Sequence, residues 1–244
     1  MKLSAACRFN KMRKCQSEFL CFAHRGARGH EPENTLRSFS RALELGAPWI
    51  ELDVFPVEGE LVVIHDQRLE GTTSGTGRVT EAPLDYVRSL DAGRGERIPL
   101  LQEVFDLVAC RAGINIELKW PGCAELLAPL LDRYCRERGW RREHFLVSSF
   151  IHEELQRFSR LKPGVRLGAL TGELPLRLAA FAQELNAYAV HASIHFLSPG
   201  FLEDTHRRGM KFFVYTVNHP DDIARMRRFG ADGVFTDYPE RVLP

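Results

Sequence analysis

Glu51 and Asp53, separated by one residue, lie inside the apolar run WIELDVF. In a strand, positions i and i+2 share a face, so both carboxylates point the same way. Buried acids need something cationic beside them. The run INIELKW sets Glu117 and Lys119 at the same spacing in a second strand-like segment, and His24 and His65 each follow one, FLCFA and LVVI. Three carboxylates with no Cys or multi-His cluster make a hard-oxygen site suited to one Mg²⁺ or Ca²⁺ ion, with Mn²⁺ admissible and zinc disfavoured. Arg25 and Lys119 supply positive charge for an oxyanion, and two histidines can divide general acid and base duties. The chemistry that fits is metal-assisted phosphoester cleavage. The other seven of the nine histidines read as ordinary polar side chains.

Such groups must be carried to one place by the fold. From residue 19 the chain alternates short apolar runs with longer segments of helical period, the pattern of a parallel sheet with crossover helices. Candidate strands are 19–23, 49–55, 113–118, 144–149, 165–170, 187–191, 211–217 and 232–236, each followed by a helical segment, the last a stub. Eight βα units over this length imply an α/β fold, a TIM (β/α)8 barrel, whose active site lies at the C-terminal ends of the strands. Pro32 and Asn34 are expected to open a helix running to Gly46, and Pro220-Asp221-Asp222 one that ends at Gly230. Residues 59–98, after the second strand, hold an extra strand, LVVIH, then the polar stretches GTTSGTG and DAGRGERIP, and read as an insertion at the barrel mouth. The seventh strand adds Tyr215, Thr216 and Asn218 to that mouth, and the eighth adds Thr236 and Asp237.

Composition narrows the partners. With 33 basic against 32 acidic residues and a net charge of +1, the 244-residue chain lacks the electrostatic footprint of a nucleic-acid or anionic-membrane binder. No apolar run approaches the roughly 18 residues of a membrane span. The six cysteines form no C-x-x-C pair and read as reduced thiols, hence a cytoplasmic protein. Residues 1–18, with Lys2, Arg8, Lys11, Arg13 and Lys14, lack the apolar core of a secretory signal and read as a flexible basic extension ahead of a domain over 19–244.

HRGARGHEPENT at 24–35, ELD at 51–53, VVIHD at 62–66, TTSGTG at 72–77, IELK at 116–119, YTVN at 215–218 and GADGVFTDYP at 230–239 occur in an order and spacing that resembles the glycerophosphodiester phosphodiesterase family, of the cytosolic bacterial type. The resemblance covers residues 20–242. It implies a barrel enzyme, monomer or homodimer, that hydrolyses small glycerophosphodiesters such as glycerophosphocholine or glycerophosphoethanolamine to sn-glycerol 3-phosphate and an alcohol. It also implies His24 and His65 as the acid/base pair, Glu51, Asp53 and Glu117 as ligands of one divalent cation, and Arg25, Lys119 and Tyr215 as phosphate and substrate contacts. His191 and Phe150 match strand-end positions of the family as well. Where the family commonly has arginine this chain has Gly71, a departure expected to touch specificity more than chemistry. Two rivals stand beside this reading. A non-catalytic phosphodiester-binding relative would have lost a motif residue, and here all are present. A lysophospholipase D would want an apolar, membrane-facing insertion, whereas residues 65–98 are polar.

Overall fold

The apolar runs pair in the order in which they occur along the chain. In the computed structural model, which describes residues 19–243, eight strands run parallel: β1 (Leu20–Ala23), β2 (Trp49–Val57), β4 (Gly113–Leu118), β5 (Phe145–Ser149), β6 (Arg166–Thr171), β7 (Ala189–Ser193), β8 (Lys211–Tyr215) and β9 (Gly233–Thr236). Each bonds to the next, and β1 pairs with both β9 and β2, which closes the ring. Only β3 (Glu60–Val63) runs antiparallel, as a hairpin on the far half of β2. The barrel is the TIM type that the alternation of runs implies. Helices α1 (Leu36–Glu44), α3 (Leu101–Val108), α4 (Cys123–Glu137), α5 (His152–Leu161), α6 (Ala180–Glu184), α7 (Pro199–Arg207) and α8 (Pro220–Phe229) follow the strands, while α2 (Leu84–Ser89) belongs to the insertion. The basic extension at residues 1–18, with Cys7 and Cys15, lies outside the described residues.

Two helix boundaries show what sequence signals can carry. Helix α8 starts at Pro220 and stops where Gly230 takes a left-handed φ of 94°, as expected. Helix α1 starts later than Pro32 or Asn34. Thr35 caps it, its side chain accepting from Ser38 N at 3.1 Å, and it ends at Glu44, short of Gly46. Asn34 cannot be in the helix because its φ of 56° is left-handed. That turn aims its amide into the barrel instead.

Register sets the depth of the polar groups. Glu51 pairs with Asn115 and Asp53 with Glu117 across β2 and β4, so the three acids occupy two adjacent levels of the barrel interior. Below them the interior is apolar: Phe22, Trp49, Leu146, Ala189, Phe213 and Phe235 pack together. The insertion, polar in sequence, has its own buried core of Phe55, Val57, Val62, Ile64, Leu69, Val79, Val87, Leu90 and Ile98. This packing holds the loop that follows β3 over the barrel mouth. Among the described residues no helix is long and apolar enough to cross a membrane, and Cys21, Cys123 and Cys135 are free thiols.

Phe22 is the keystone of the barrel floor, with ring centroids 5.6, 4.9 and 4.6 Å from Trp49, Phe213 and Phe235. Phe22→Ala should therefore cost about 3–5 kcal/mol of unfolding free energy. Denaturant titration checks it; a loss below about 1 kcal/mol would mean that the floor refills by collapse.

Candidate active site

All eight residues singled out in the sequence converge at the C-terminal end of the barrel. His24, Arg25, Glu51, His65, Glu117, Lys119 and Tyr215 line one cavity of about 180 Å³, and Asp53 stands against it through contacts with Arg25 at 3.5 Å and Lys119 at 3.4 Å. Glu51, Asp53 and Glu117 each offer an oxygen within 4.8 Å of the others'. All three are buried.

Arg25 and Gly26 explain how the first loop reaches this centre. Arg25 takes a φ of 52° and Gly26 one of 82°, and a Cβ at Gly26 would overlap Ser38, so this tight turn needs glycine there. The turn directs the Arg25 backbone N–H at Glu51 Oε2, 2.8 Å away. The Arg25 guanidinium reaches both Asp53 and Glu33, the latter at 2.8 Å. Lys119 donates to Glu117 Oε1 at 2.7 Å, and Asn34 donates to Asp53 Oδ2 at 2.9 Å.

Electrostatics divide the trio. Burial, then the charges of Asp53 and Glu117, push the Glu51 carboxyl well above its ordinary range. Glu117 is pushed up to about 7 by burial and by Asp53, against the pull of Lys119. Asp53 goes the other way: burial opposes its charge, but Lys119, Arg25 and His65 together outweigh it. One acid is firmly anionic and two resist ionisation until something positive joins them. A divalent cation is such a partner, and an all-oxygen set at this spacing fits a hard ion.

Each histidine is held from behind by a carboxylate. His24 Nδ1 donates to Asp237 Oδ1 at 2.7 Å, and His65 Nδ1 donates to Asp66 Oδ1 at 2.6 Å. A carboxylate on Nδ1 fixes the proton there and leaves Nε2 as the working nitrogen. Burial lowers both imidazole pKa values, and the neighbouring acids partly restore them. Asp237 is itself fixed by Asn218, whose Nδ2 donates to Asp237 Oδ2 at 2.7 Å and whose Oδ1 accepts from Asp237 N at 2.8 Å. Tyr215 forms a wall, its hydroxyl donating to Thr171 O at 2.8 Å and its ring edge-on to Phe150 at 6.1 Å.

Comparison with known proteins matches residues 24–241 to the glycerophosphoryl diester phosphodiesterase family. The chain belongs to that family and is an enzyme. It is 37% identical over 238 residues to a glycerophosphodiester phosphodiesterase of Caldanaerobacter subterraneus subsp. tengcongensis, covering 92% of this chain and 96% of the relative. A human lysophospholipase D, GDPD1, is 25% identical over 90% of this chain and 83% of its own. Among solved structures, an Oleispira antarctica phosphodiesterase in complex with the product sn-glycerol-3-phosphate superposes with a TM-score of 0.83 at 29% identity, covering 91% of this chain and 94% of the other.

Several residues of this family member gain meaning only from the structure. Asp237, Asn218 and Asn34 stand in the motifs as polar strand-end or loop residues, but their partners lie 213, 19 and 19 positions away. Gly71 lies against Asp66, and a Cβ there would come within 2.6 Å of Asp66 Oδ2. A side chain at position 71 would thus meet the free oxygen of the carboxylate that holds His65, and Asp66 would have to shift to admit it.

Removing the Asp237 charge should disfavour the His24 imidazolium. In Asp237→Asn the limb of the kcat/KM pH profile carried by His24 is expected to move to lower pH, with a rate loss of about 10²- to 10⁴-fold. An unmoved limb would separate Asp237 from the chemistry.

Proposed function

We propose that this enzyme is a divalent-metal-dependent hydrolase of glycerophosphodiesters such as glycerophosphocholine, releasing sn-glycerol 3-phosphate and an alcohol. The observation that carries this reading is three buried carboxylates within 4.8 Å, flanked by Arg25, Lys119 and two carboxylate-braced histidines. Glu51, Asp53 and Glu117 would hold the cation, which when bound supplies Lewis-acid polarisation of a phosphoryl oxygen. Arg25 and Lys119 hold the phosphate as charge-assisted donors. One histidine takes a proton at Nε2 from the attacking oxygen, that of water or of the glycerol 2-hydroxyl whose cyclic phosphate water then opens, while the other delivers one to the leaving oxygen. Tyr215 walls the substrate on the side of β8. The free thiols of Cys21, Cys123 and Cys135 accord with work in a reducing cytoplasm.

One observation favours a second reading, a lysophospholipase D. Phe150, Leu174, Leu176 and Phe196 are exposed on the loops after β5, β6 and β7, with Phe150 also lining the cavity. The apolar surface missing from the insertion stands on that side of the mouth, where an acyl chain could lie.

Metal-stripped protein incubated with glycerophosphocholine should form no sn-glycerol 3-phosphate, and Mg²⁺, Ca²⁺ or Mn²⁺ should restore it. Faster turnover of lysophosphatidylcholine in the same assay would favour the second reading. Undiminished turnover after stripping would overturn the metal assignment.

A further inference from the structure

Buried polar atoms without partners are rare, and each costs about 1–3 kcal/mol. Among the described residues, those lacking a hydrogen-bond partner on Arg25, Asn115 and His191 all belong to side chains lining the cavity of the active site. Arg25 has its ion pairs. Asn115 Oδ1 and both ring nitrogens of His191 have nothing.

These groups lie beneath the charged rim. Asn115 sits one pleat deeper than Glu117 on β4, level with Glu51, and its Nδ2 donates to Ser148 Oγ on β5 at 2.9 Å. Its carbonyl oxygen is left over. His191, on β7, is fully buried, its ring 5.6 and 4.9 Å from Phe213 and Phe235. A Cβ at Gly168 on the neighbouring strand would overlap the imidazole, so glycine makes its place. Interior positions of such barrels are ordinarily filled by branched apolar side chains, which makes three neutral polar ones lining one cavity a costly choice.

Resting on the phosphodiesterase reading above, we propose that Asn115, Ser148 and His191 form a polyol subsite, an uncharged floor that hydrogen-bonds the hydroxyls of the glycerol moiety while the phosphate stays at the charged rim. The chemistry separates the two ends. Burial pulls the His191 pKa down to about 3, so the ring is neutral and offers one donor and one acceptor. A floor without charge offers a phosphate no ion pair. It matches hydroxyls, and a site built to bond a hydroxyl rejects an analogue lacking it because its own buried groups are then left unpaired.

The test uses two probes that differ only in their hydroxyls, sn-glycerol 3-phosphate and n-propyl phosphate, measured as inhibitors and by calorimetry with divalent cation present. Wild-type protein should prefer the glycerol compound by at least about tenfold. Asn115→Leu, close to isosteric, and His191→Leu should each bring the two probes toward parity, with affinity for n-propyl phosphate held or raised. His191→Gln, which keeps a donor and an acceptor, should retain part of the preference, and it stands in if His191→Leu does not fold. Variants that keep the full preference, or that lose both probes equally, would overturn the subsite while wild-type turnover of glycerophosphocholine leaves the functional reading intact. A wild-type protein that neither cleaves glycerophosphocholine nor binds sn-glycerol 3-phosphate would overturn both.

Discussion

Three carboxylates held within 4.8 Å inside a barrel repel one another, and the rest of the site is arranged around that repulsion. At such separations in a poorly polarisable interior the energy of like charges is too large to leave unanswered. Arg25 and Lys119 answer part of it, but Arg25 is shared with Glu33, and the acids outnumber the cations. Burial first, and then the remainder of that repulsion, pushes Glu51 and Glu117 upward. A bound cation would convert this repulsion into affinity, since sites preorganised against themselves bind the missing charge without first moving.

The barrel makes this possible by separating stability from chemistry along its axis. The aromatic floor around Phe22 holds the strands in register. Register in turn puts Asp53 beside Glu117 and Glu51 beside Asn115. Loops from the ends of the first and last strands then meet, so that Asp237 braces His24 across the seam where the ring closes. The second histidine is braced within its own loop by Asp66, which the insertion's core holds in place. Two histidines with one kind of brace can differ in role through exposure and neighbours.

Most of this order was legible in the chain because it depends on local periodicity. Eight apolar runs, evenly spaced except where the insertion intervenes, dictate the barrel, and i, i+2 spacing fixes which acids share a face. What was not legible depends on contacts between distant residues. Nothing around Asn34 announces a left-handed turn whose amide supports Asp53, and the helix signal at Pro32 and Asn34 points to the wrong start because Thr35 is the better cap. The insertion looked polar because its apolar residues, such as Leu69, Val79 and Val87, are spread among loop residues and meet only on folding. His191 is an ordinary histidine in sequence. Its lack of partners appears only when the interior is assembled.

On the function proposed above, the trio trades stability for cation binding. Unfolding wild-type protein and Glu51→Gln in denaturant, each with and without a divalent cation, measures that trade. Glutamine keeps the shape and can still accept from the Arg25 N–H. Metal-free, the variant should be at least as stable as wild type. Cation at 100 times its Kd should stabilise wild type by about 2.7 kcal/mol and the variant by far less. A variant less stable without metal, yet stabilised equally by it, would show that the trio makes no such trade.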